Sequence, residues 1–185
     1  LLAARLEQLE YDDRELLQRI SASDREAMRA FYERYHTALF AFIRGRGADP
    51  AAAADTVQDA MLEVWRSAGR YRGEAAAKPW LFSIARNKLI DRTRKGARLS
   101  HVEDVPETVD EAPDPEAVMI ASSEAARVRA CLGRLKPAHL SVIRLAFYED
   151  LTYGEISEIE DVPAGTVKTR IFHAKKLLLR CLGKR

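Results

Sequence analysis

The 185-residue chain lacks the motifs that mark the common enzyme classes. It has neither a GxxxxGK[ST] phosphate-binding loop nor an HExxH zinc motif, and no Cys or Ser is placed with a base for nucleophilic attack. Its four histidines are scattered along the chain. We therefore expect no catalytic residue, no cofactor, no metal site and no enzymatic activity of its own.

Long apolar runs are also missing. No segment approaches the roughly 20 apolar residues of a membrane-spanning helix, and the N-terminus shows no signal-peptide pattern. The chain has only two cysteines, Cys131 and Cys181, with no CxxC motif. These absences predict a cytoplasmic protein without membrane insertion. The two cysteines are predicted to be buried thiols in a reducing compartment, with a disulfide or a redox switch as the alternatives.

Charge is distributed in blocks, although the net charge is only +2. Residues 69–98 contain nine basic side chains and two acidic ones, residues 99–120 contain seven acidic and no Lys or Arg, and residues 164–185 contain seven basic and no acidic. Two basic blocks separated by an acidic spacer are typical of a protein with two nucleic-acid-binding sites.

Helical periodicity runs through the chain, and the fold class is predicted to be all-α. Ser23 and Glu26 form a capping-box pattern that predicts the start of a helix. Asp49 followed by Pro50 predicts the next helix, ending near Gly69. Shorter segments predict a helix from about Asp12 to Ile20 and another from Pro79 to about Lys95. The inward faces predicted for the two central helices are Ala27, Phe31, Tyr35, Ala38 and Phe42, then Ala54, Val57, Met61, Val64 and Ala68.

On the helix that begins at Pro79, polar and apolar residues share the same side. Trp80, Ile84, Asn87 and Asp91 share one side, with Leu81 and Ala85 adjoining it. Trp80 is predicted to belong to the core. Asn87 and Asp91 form either a buried polar anchor or a contact to nucleic acid, and the pattern favours neither.

Proline and acidic residues interrupt the helical pattern after residue 95. This composition cannot bury enough apolar surface to fold, so residues 96–116 are predicted to be a flexible acidic linker. The predicted organisation is an extension with a short helix (1–22), a helical domain (23–95), the linker, and a second helical domain (117–185). In the second domain, Val128, Cys131, Leu132 and Leu135 are predicted to face inward, followed by Leu140, Ile143 and Phe147 on the helix that Pro137 opens.

The stretch LTYGEISEIEDVPAGTVKTRIFHAKKLLL (151–179) has the pattern of a helix-turn-helix motif. Thr152 and Glu155 form a second capping-box pattern, and Pro163 and Gly165 separate a short helix from a longer basic one. Val167, Ile171, Ala174 and Leu178 share one face of the second helix, which is predicted to be buried. The opposite face holds Gly165, Thr169, Phe172, His173 and Lys176, with Lys168 at its edge. The alternative is an ordinary pair of helices with a solvated basic face, but an outward aromatic residue favours DNA binding.

This stretch resembles region 4.2 of bacterial sigma factors of the extracytoplasmic function (ECF) group. The segment AAADTVQDAMLEVWRSAGRYRGEAAAKPWLFSIARNKLIDRTRK (52–95) looks like regions 2.2 to 2.4 of the same group. The resemblance implies a transcription initiation factor that binds core RNA polymerase and recognises the −10 and −35 promoter elements. It implies as partners the β′ clamp helices, the β flap, promoter DNA (single-stranded at −10, duplex at −35) and an anti-sigma factor.

The resemblance, together with side-chain chemistry, predicts three groups of site residues. The polymerase-binding group comprises Asp55, Gln58, Asp59, Leu62 and Glu63. The −10 group comprises Arg70, Tyr71, Arg72, Lys78, Ser83, Arg86, Asn87 and Arg94. The −35 group comprises Gly165, Thr166, Lys168, Thr169, Arg170, Phe172, His173 and Lys176. The rival hypothesis is a stand-alone helix-turn-helix regulator with an N-terminal sensory or protein-binding domain.

Overall fold

The computed structural model describes residues 12–73, 75–99 and 119–183. All regular secondary structure in these ranges is helical, which confirms the all-α prediction. None of the helices in the described ranges is long and apolar enough to cross a membrane. The helices are α1 (Asp13–Ser21), α2 (Arg25–Arg44), α3 (Pro50–Ser67), α4 (Ala77–Leu99), α5 (Met119–Gly133), α6 (Pro137–Phe147), α7 (Tyr153–Glu160) and α8 (Ala164–Leu182), with a 3₁₀ turn at Ala68–Arg70.

Two of the three predicted helix caps form as expected. The Asp49 carboxylate accepts from the Ala52 amide at 2.8 Å, directly before Pro50. The Thr152 hydroxyl accepts from the Glu155 amide, and the Glu155 carboxylate accepts from the Thr152 amide. Each cap satisfies amides that have no partner within the first turn of the helix.

The capping box predicted at Ser23 is wrong by one residue. Asp24 is the cap, and its carboxylate accepts from the amides of Glu26 (2.9 Å) and Ala27 (3.1 Å). Ser23 adopts a left-handed conformation with φ 66° in the tight turn after α1. An ionised carboxylate is favoured at a helix N-terminus, and this one also pairs with Arg19 at 2.8 Å.

Helices α1 to α4 share one core, in which the predicted inward face of α2 is confirmed. On α3 the prediction is wrong for Ala54, which is exposed, whereas Ala53, Thr56 and Ala60 are fully buried. The buried face of α3 is therefore rotated about the helix axis, by a fraction of a turn, relative to the predicted face. Thr56 can lie inside because its hydroxyl donates to the Ala52 carbonyl at 2.6 Å.

The inward face of α4 was also misplaced. Leu81, Phe82 and Ala85 are fully buried, and the Phe82 ring meets the Phe42 ring edge-on at 5.0 Å. Trp80 and Ile84 are half-buried and pack against the same core, as predicted for Trp80. Asn87 and Asp91 are exposed, so the interpretation of a buried polar anchor is wrong.

The ends of α4 differ from the prediction as well. The helix begins at Ala77 rather than Pro79 and extends to Leu99, so residues 96–99 are helical and not linker. The remainder of the predicted linker, and the predicted restart of helix at 117, lie outside the described residues.

The second domain contains α5 to α8, and α7 and α8 form the predicted helix-turn-helix. Asp161, in a left-handed conformation, ends α7, and α8 begins three residues later at Ala164. Val167, Ile171 and Ala174 are buried and Leu178 is half-buried, which confirms the predicted seam. Two inward predictions are wrong: Val128 is 37% exposed and Phe147 is 53% exposed, with the Lys175 ammonium 4.7 Å above the Phe147 ring.

The cysteines overturn the prediction of two reduced thiols. Cys131 on α5 and Cys181 on α8 form a disulfide, and no cysteine is free. Their separation of 50 residues gave no hint of this pairing, because only the packing of α5 against α8 brings their Cα atoms to 5.9 Å.

The two domains pack against each other, through α4 and α7 in particular. Between them, the Arg46 guanidinium pairs with the Glu160 carboxylate and donates to the Ser141 hydroxyl at 3.1 Å. Ser141 in turn donates to Glu160 at 2.6 Å, and Arg46 lies over the Phe42 ring. We call Arg46, Ser141 and Glu160 the interdomain cluster. Lys78 pairs with Glu149 at 2.7 Å beside it, and Arg144 donates to the Ala41 carbonyl.

The interdomain cluster predicts a large effect of Glu160→Ala on stability. The substitution leaves the half-buried Arg46 guanidinium, whose side chain is 17% exposed, without its counter-ion. We expect this loss to lower the free energy of unfolding by about 3 kcal/mol. Urea denaturation measures the change. Glu158→Ala is the matched control, because Glu158 lies exposed on the same helix, and we expect it to stay within about 0.5 kcal/mol of wild type. Equal effects of the two substitutions would contradict this account of the cluster.

The disulfide predicts that reduction destabilises the second domain. Closing a loop of this length restricts the unfolded chain, and its loss typically costs about 2–4 kcal/mol. We expect the Cys131→Ser/Cys181→Ser double variant to melt at a lower temperature than oxidised wild type, whereas reduced wild type should melt close to the variant. A variant as stable as oxidised wild type would show that helix packing alone suffices.

Candidate functional site

The outward face of α8 carries the residues predicted to read DNA. Gly165, Lys168, Thr169, Phe172, His173 and Lys176 are exposed, and Phe172 is 63% exposed despite being aromatic. The Thr169 hydroxyl donates to the Gly165 carbonyl at 2.9 Å, which leaves its oxygen available as an acceptor. Thr166 and Arg170 are half-buried at the margins. The structure therefore brings six of the eight predicted residues to one open surface.

This surface combines two kinds of contact. Lys168 and Lys176 form no ion pair within the part of the chain that the structure describes, so both can meet phosphate. Thr169 and Phe172 offer an acceptor and an apolar ring, which suit base edges and the thymine methyl group. A helix with this composition can both hold a duplex and distinguish its sequence.

His139, on the first turn of α6, is a neighbour of this surface that the sequence analysis missed. Its pKa is lowered by burial, and further by the nearby charges of His173, Lys136 and Arg170. Its Nδ1 atom is buried and has no hydrogen-bond partner among the described residues. A single histidine after a proline carries no sequence signal, since only the packing of α6 against α8 brings it here.

An apolar groove lies between α2 and α3, on the other domain. It encloses about 450 Å³ and is lined by Met28, Tyr32, Met61, Leu62 and Trp65, with Arg25 and Gln58 at its edge. Leu62 is 45% exposed and Tyr32 is 43% exposed. Gln58 and Leu62 were both predicted to bind a protein partner, and the groove places them together.

The three predicted acidic residues of α3 are paired with α4. Arg92 bridges Asp55 at 2.5 Å and Asp59 at 2.7 Å, and Lys88 pairs with Glu63 at 2.9 Å. The hydrogen bond and charge of Lys88 lower the pKa of Glu63, and the hydrogen bond to Asp59 raises the pKa of Arg92. These carboxylates are accessible, but they are not free in this structure.

The residues predicted to meet the −10 element are distributed over the loop before α4 and over α4 itself. Arg70, Arg72, Asn87 and Arg94 are exposed. Tyr71 is half-buried, and its hydroxyl donates to the Ala75 carbonyl at 2.5 Å.

The remaining −10 candidates lie closer to the second domain. Ser83 and Arg86 are half-buried, and Lys78 pairs with Glu149. Lys78 therefore meets a phosphate only if Glu149 releases it. Within the described ranges, no group of three or more His, Cys, Asp or Glu side chains could hold a metal ion.

Comparison with known families assigns both halves of the chain. The family described as Sigma-70 region 2 matches residues 31–99, and Sigma-70, region 4 matches residues 125–178. ECF RNA polymerase sigma factor SigK of Mycobacterium sp. (strain JLS) is 33% identical over 175 residues, which cover 91% of this chain and 89% of the relative. SigK of Mycolicibacterium vanbaalenii is 30% identical over 98% of this chain and 94% of the relative.

Solved structures agree with this similarity. CnrH, in complex with the cytosolic domain of CnrY, superposes with a TM-score of 0.64 at 25% identity, covering 92% of this chain and 97% of CnrH. The sigma factor RpoE of Bartonella quintana, in complex with the anti-sigma factor NepR, shares the fold with a TM-score of 0.68 at 21% identity, covering 84% and 96% of the two chains.

Neighbouring residues on α8 provide a test of which face is buried. Ile171→Asp places a charge in a site that is 2% exposed, and we expect it to unfold the second domain or to cost at least about 3 kcal/mol. Phe172→Asp introduces the same charge one residue later in an exposed position, and we expect a change of at most about 0.5 kcal/mol. Circular dichroism during thermal unfolding measures both. A larger loss for Phe172→Asp would reverse the assignment of the two faces.

Proposed function

Because this chain belongs to the ECF sigma factors of bacterial RNA polymerase, we propose that its two domains divide promoter recognition between them. The first domain docks on core polymerase and captures the melted −10 element. The second domain reads the −35 element as duplex DNA through α8 and contacts the β flap. The observation that carries the proposal is the outward face of α8. There the exposed Phe172 ring lies among lysines that form no ion pair with described residues, opposite the buried Val167, Ile171 and Ala174.

The proposed docking site for the β′ clamp helices is the apolar groove between α2 and α3, together with Asp55, Asp59 and Glu63. Exposed Leu62 supplies apolar area in the centre, and the carboxylates supply charge at one side. This arrangement of an apolar centre with a polar rim is typical of protein interfaces. Cations of the polymerase would compete with Arg92 and Lys88 for the carboxylates.

The proposed −10 site is the loop 69–73 with the exposed face of α4. Arg70, Arg72 and Arg94 provide phosphate contacts, and Asn87 provides a group that can reach a base. A protein that binds unpaired bases favours the melted state of the promoter, because only that state exposes them. Sigma factors are not enzymes, and we assign all chemistry to the polymerase.

We also propose that the chain works in the cytoplasm under the control of an anti-sigma factor. The support comes from CnrH, which has the same arrangement of helices and whose structure includes the cytosolic domain of CnrY. The candidate surfaces for such a partner are those that polymerase and DNA need, because a protein that covers them blocks initiation.

The decisive experiment is reconstitution with core polymerase on a library of promoter sequences. We expect transcription from a restricted set of sequences that share −10 and −35 elements. Thr169→Ala or Phe172→Ala should relax the preference at particular −35 base pairs, by on the order of 1 kcal/mol each. Lys176→Ala should instead weaken binding about evenly across sequences and lower the salt slope by roughly one phosphate contact.

Leu62→Asp separates polymerase binding from DNA reading. We expect it to weaken association with core polymerase while the −35 preference of the remaining complex stays that of wild type, since Leu62 and α8 lie on different domains. Transcription that requires no −35 sequence, or variants of α8 that keep the wild-type preference, would remove α8 from the proposed role.

A further inference from the structure

A cavity of about 350 Å³ lies between the two domains. The first domain lines it with residues of α2 and α4, and the second domain lines it with residues of α5, α6 and the turn after α6. Small-molecule sites in proteins enclose about 300–1,000 Å³ and occur preferentially at domain interfaces. Because both domains supply walls, the cavity exists only while the domains are packed together.

The side of the cavity that the first domain supplies is apolar. Its four lining residues are all alanine or phenylalanine. Phe42 and Phe82 are buried there, and their rings meet edge-on. Leu132 and Leu145 of the second domain continue this wall and are also buried. An apolar group that displaces water from such a wall is bound favourably.

Two guanidinium groups line the cavity from the second domain. Arg129 is exposed and forms no hydrogen bond or ion pair with other described residues. Arg144 pairs with no carboxylate in the described ranges, and its guanidinium donates to the Ala41 carbonyl. Glu149 also lines the cavity, but Lys78 neutralises its carboxylate at 2.7 Å. The charges that remain are both positive, so the cavity favours an anion.

The position of the Arg144 side chain depends on a glycine of the first domain. A Cβ atom at Gly45 would lie 2.8 Å from Nη1 and 3.3 Å from Cζ of Arg144. The absence of a side chain there therefore lets the guanidinium cross to the Ala41 carbonyl of the first domain. A cation that is held in place before the ligand arrives loses less conformational entropy on binding. One of the two cations is thus preorganised.

Volume and charge together limit the class of ligand. At about 30 Å³ per water molecule, the cavity has the volume of about twelve waters, which corresponds to about twelve non-hydrogen atoms. A guanidinium group donates two parallel hydrogen bonds to a carboxylate, whereas an alcohol or an amine offers it no such pair of acceptors. One carboxylate on an apolar body of about ten carbon atoms satisfies both limits.

We propose that this cavity binds a small amphipathic carboxylate. The apolar body packs against Phe42, Phe82 and Leu132, and the carboxylate accepts hydrogen bonds from Arg129 and Arg144. Because the ligand contacts both domains, it stabilises the packed arrangement relative to any arrangement in which the domains are apart.

The site itself does not depend on the proposed function, but its consequence for transcription rests on it. In the packed arrangement Glu149 holds Lys78, which is a candidate contact to the −10 element. A ligand that favours this arrangement therefore keeps Lys78 from DNA and lowers transcription that depends on the chain.

The test of binding uses the full chain and decanoate, a carboxylate with ten carbon atoms. Isothermal titration calorimetry at pH 7, below the concentration at which decanoate forms micelles, measures the stoichiometry and the Kd. We expect one decanoate per chain. We expect decylamine, which carries a positive charge on the same apolar body, to bind at least about tenfold more weakly, because it cannot accept from a guanidinium.

Four variants locate the bound decanoate. We expect Arg129→Ala and Arg144→Ala each to raise the Kd about tenfold, through loss of a hydrogen bond to a charged group. Ala38→Leu fills the cavity while both cations remain, and we expect it to raise the Kd by at least as much. Arg127→Ala is the matched control, since Arg127 is exposed on the same helix as Arg129 and does not line the cavity, and we expect the wild-type Kd.

Thermal melting without ligand checks that each variant is folded. Because Arg129 is exposed, its substitution tests the site even if Ala38→Leu disturbs the packing. The site is overturned if decanoate shows no saturable binding, if decylamine binds equally well, or if Arg129→Ala binds as tightly as Arg127→Ala.

A second measurement tests the consequence in holoenzyme assembled from the full chain and core polymerase. Decanoate is added to the chain before the polymerase, at ten times its Kd, and we expect promoter-specific transcription to fall about five- to tenfold. Transcription by the Arg129→Ala holoenzyme should change much less. Equal responses of the two holoenzymes would overturn the link between the cavity and transcription. If the chain directs no promoter-specific transcription even without decanoate, the proposed function is wrong, whereas the calorimetric result still decides the site.

Discussion

The ion pair between half-buried Arg46 and buried Glu160 is the most enclosed of the ion pairs that join the two domains in the described ranges. Arg46 and Glu160 have given up water, so each needs the other, and Ser141 satisfies the carboxylate further. Burial lowers the pKa of Arg46, while the charge of Glu160 opposes that shift. Because the pair joins the turn after α2 to the end of α7, it fixes the helix-turn-helix relative to the first domain. Apolar contacts alone are not directional, so they would define that orientation less narrowly than the hydrogen bonds of Arg46, Ser141 and Glu160 do.

In this packing the two proposed DNA surfaces differ in how much of each is exposed. The outer face of α8 is exposed. Helix α7 packs against α4, on which Ser83 and Arg86 are half-buried and Lys78 pairs with Glu149 of the second domain. In this arrangement the second domain exposes six of its eight proposed contacts, whereas the exposed candidates of the first domain are Arg70 and Arg72 on the loop and Asn87 and Arg94 on α4. Full use of the −10 surface requires the contact between Lys78 and Glu149 to break.

Features that depend on residues close together in the sequence could be predicted, whereas contacts between residues far apart in the sequence could not. The Thr152 cap and the buried seam of α8 follow from spacing along one helix, and both were predicted correctly. Ala54 and Asn87 were misplaced because which side of a helix faces inward depends on its neighbours as well as on its own pattern. The disulfide and Arg46 gave no sequence signal, since their partners lie 50 and 114 residues away.

Helix α4 links the proposed protein and DNA surfaces. Its exposed Asn87 and Arg94 belong to the proposed −10 site, while its Arg92 and Lys88 pair with the carboxylates of α3 that are proposed to meet polymerase. These pairs are solvent-accessible although most of their residues are half-buried. Accessible ion pairs contribute about 1 kcal/mol or less, so a cation of a partner can replace Arg92 or Lys88 at little cost. Replacement would free the positive charges of Arg92 and Lys88 on the helix that carries the proposed −10 contacts. The acidic residues of α3 that are predicted to bind polymerase therefore also neutralise Arg92 and Lys88, and so reduce the unpaired positive charge on α4.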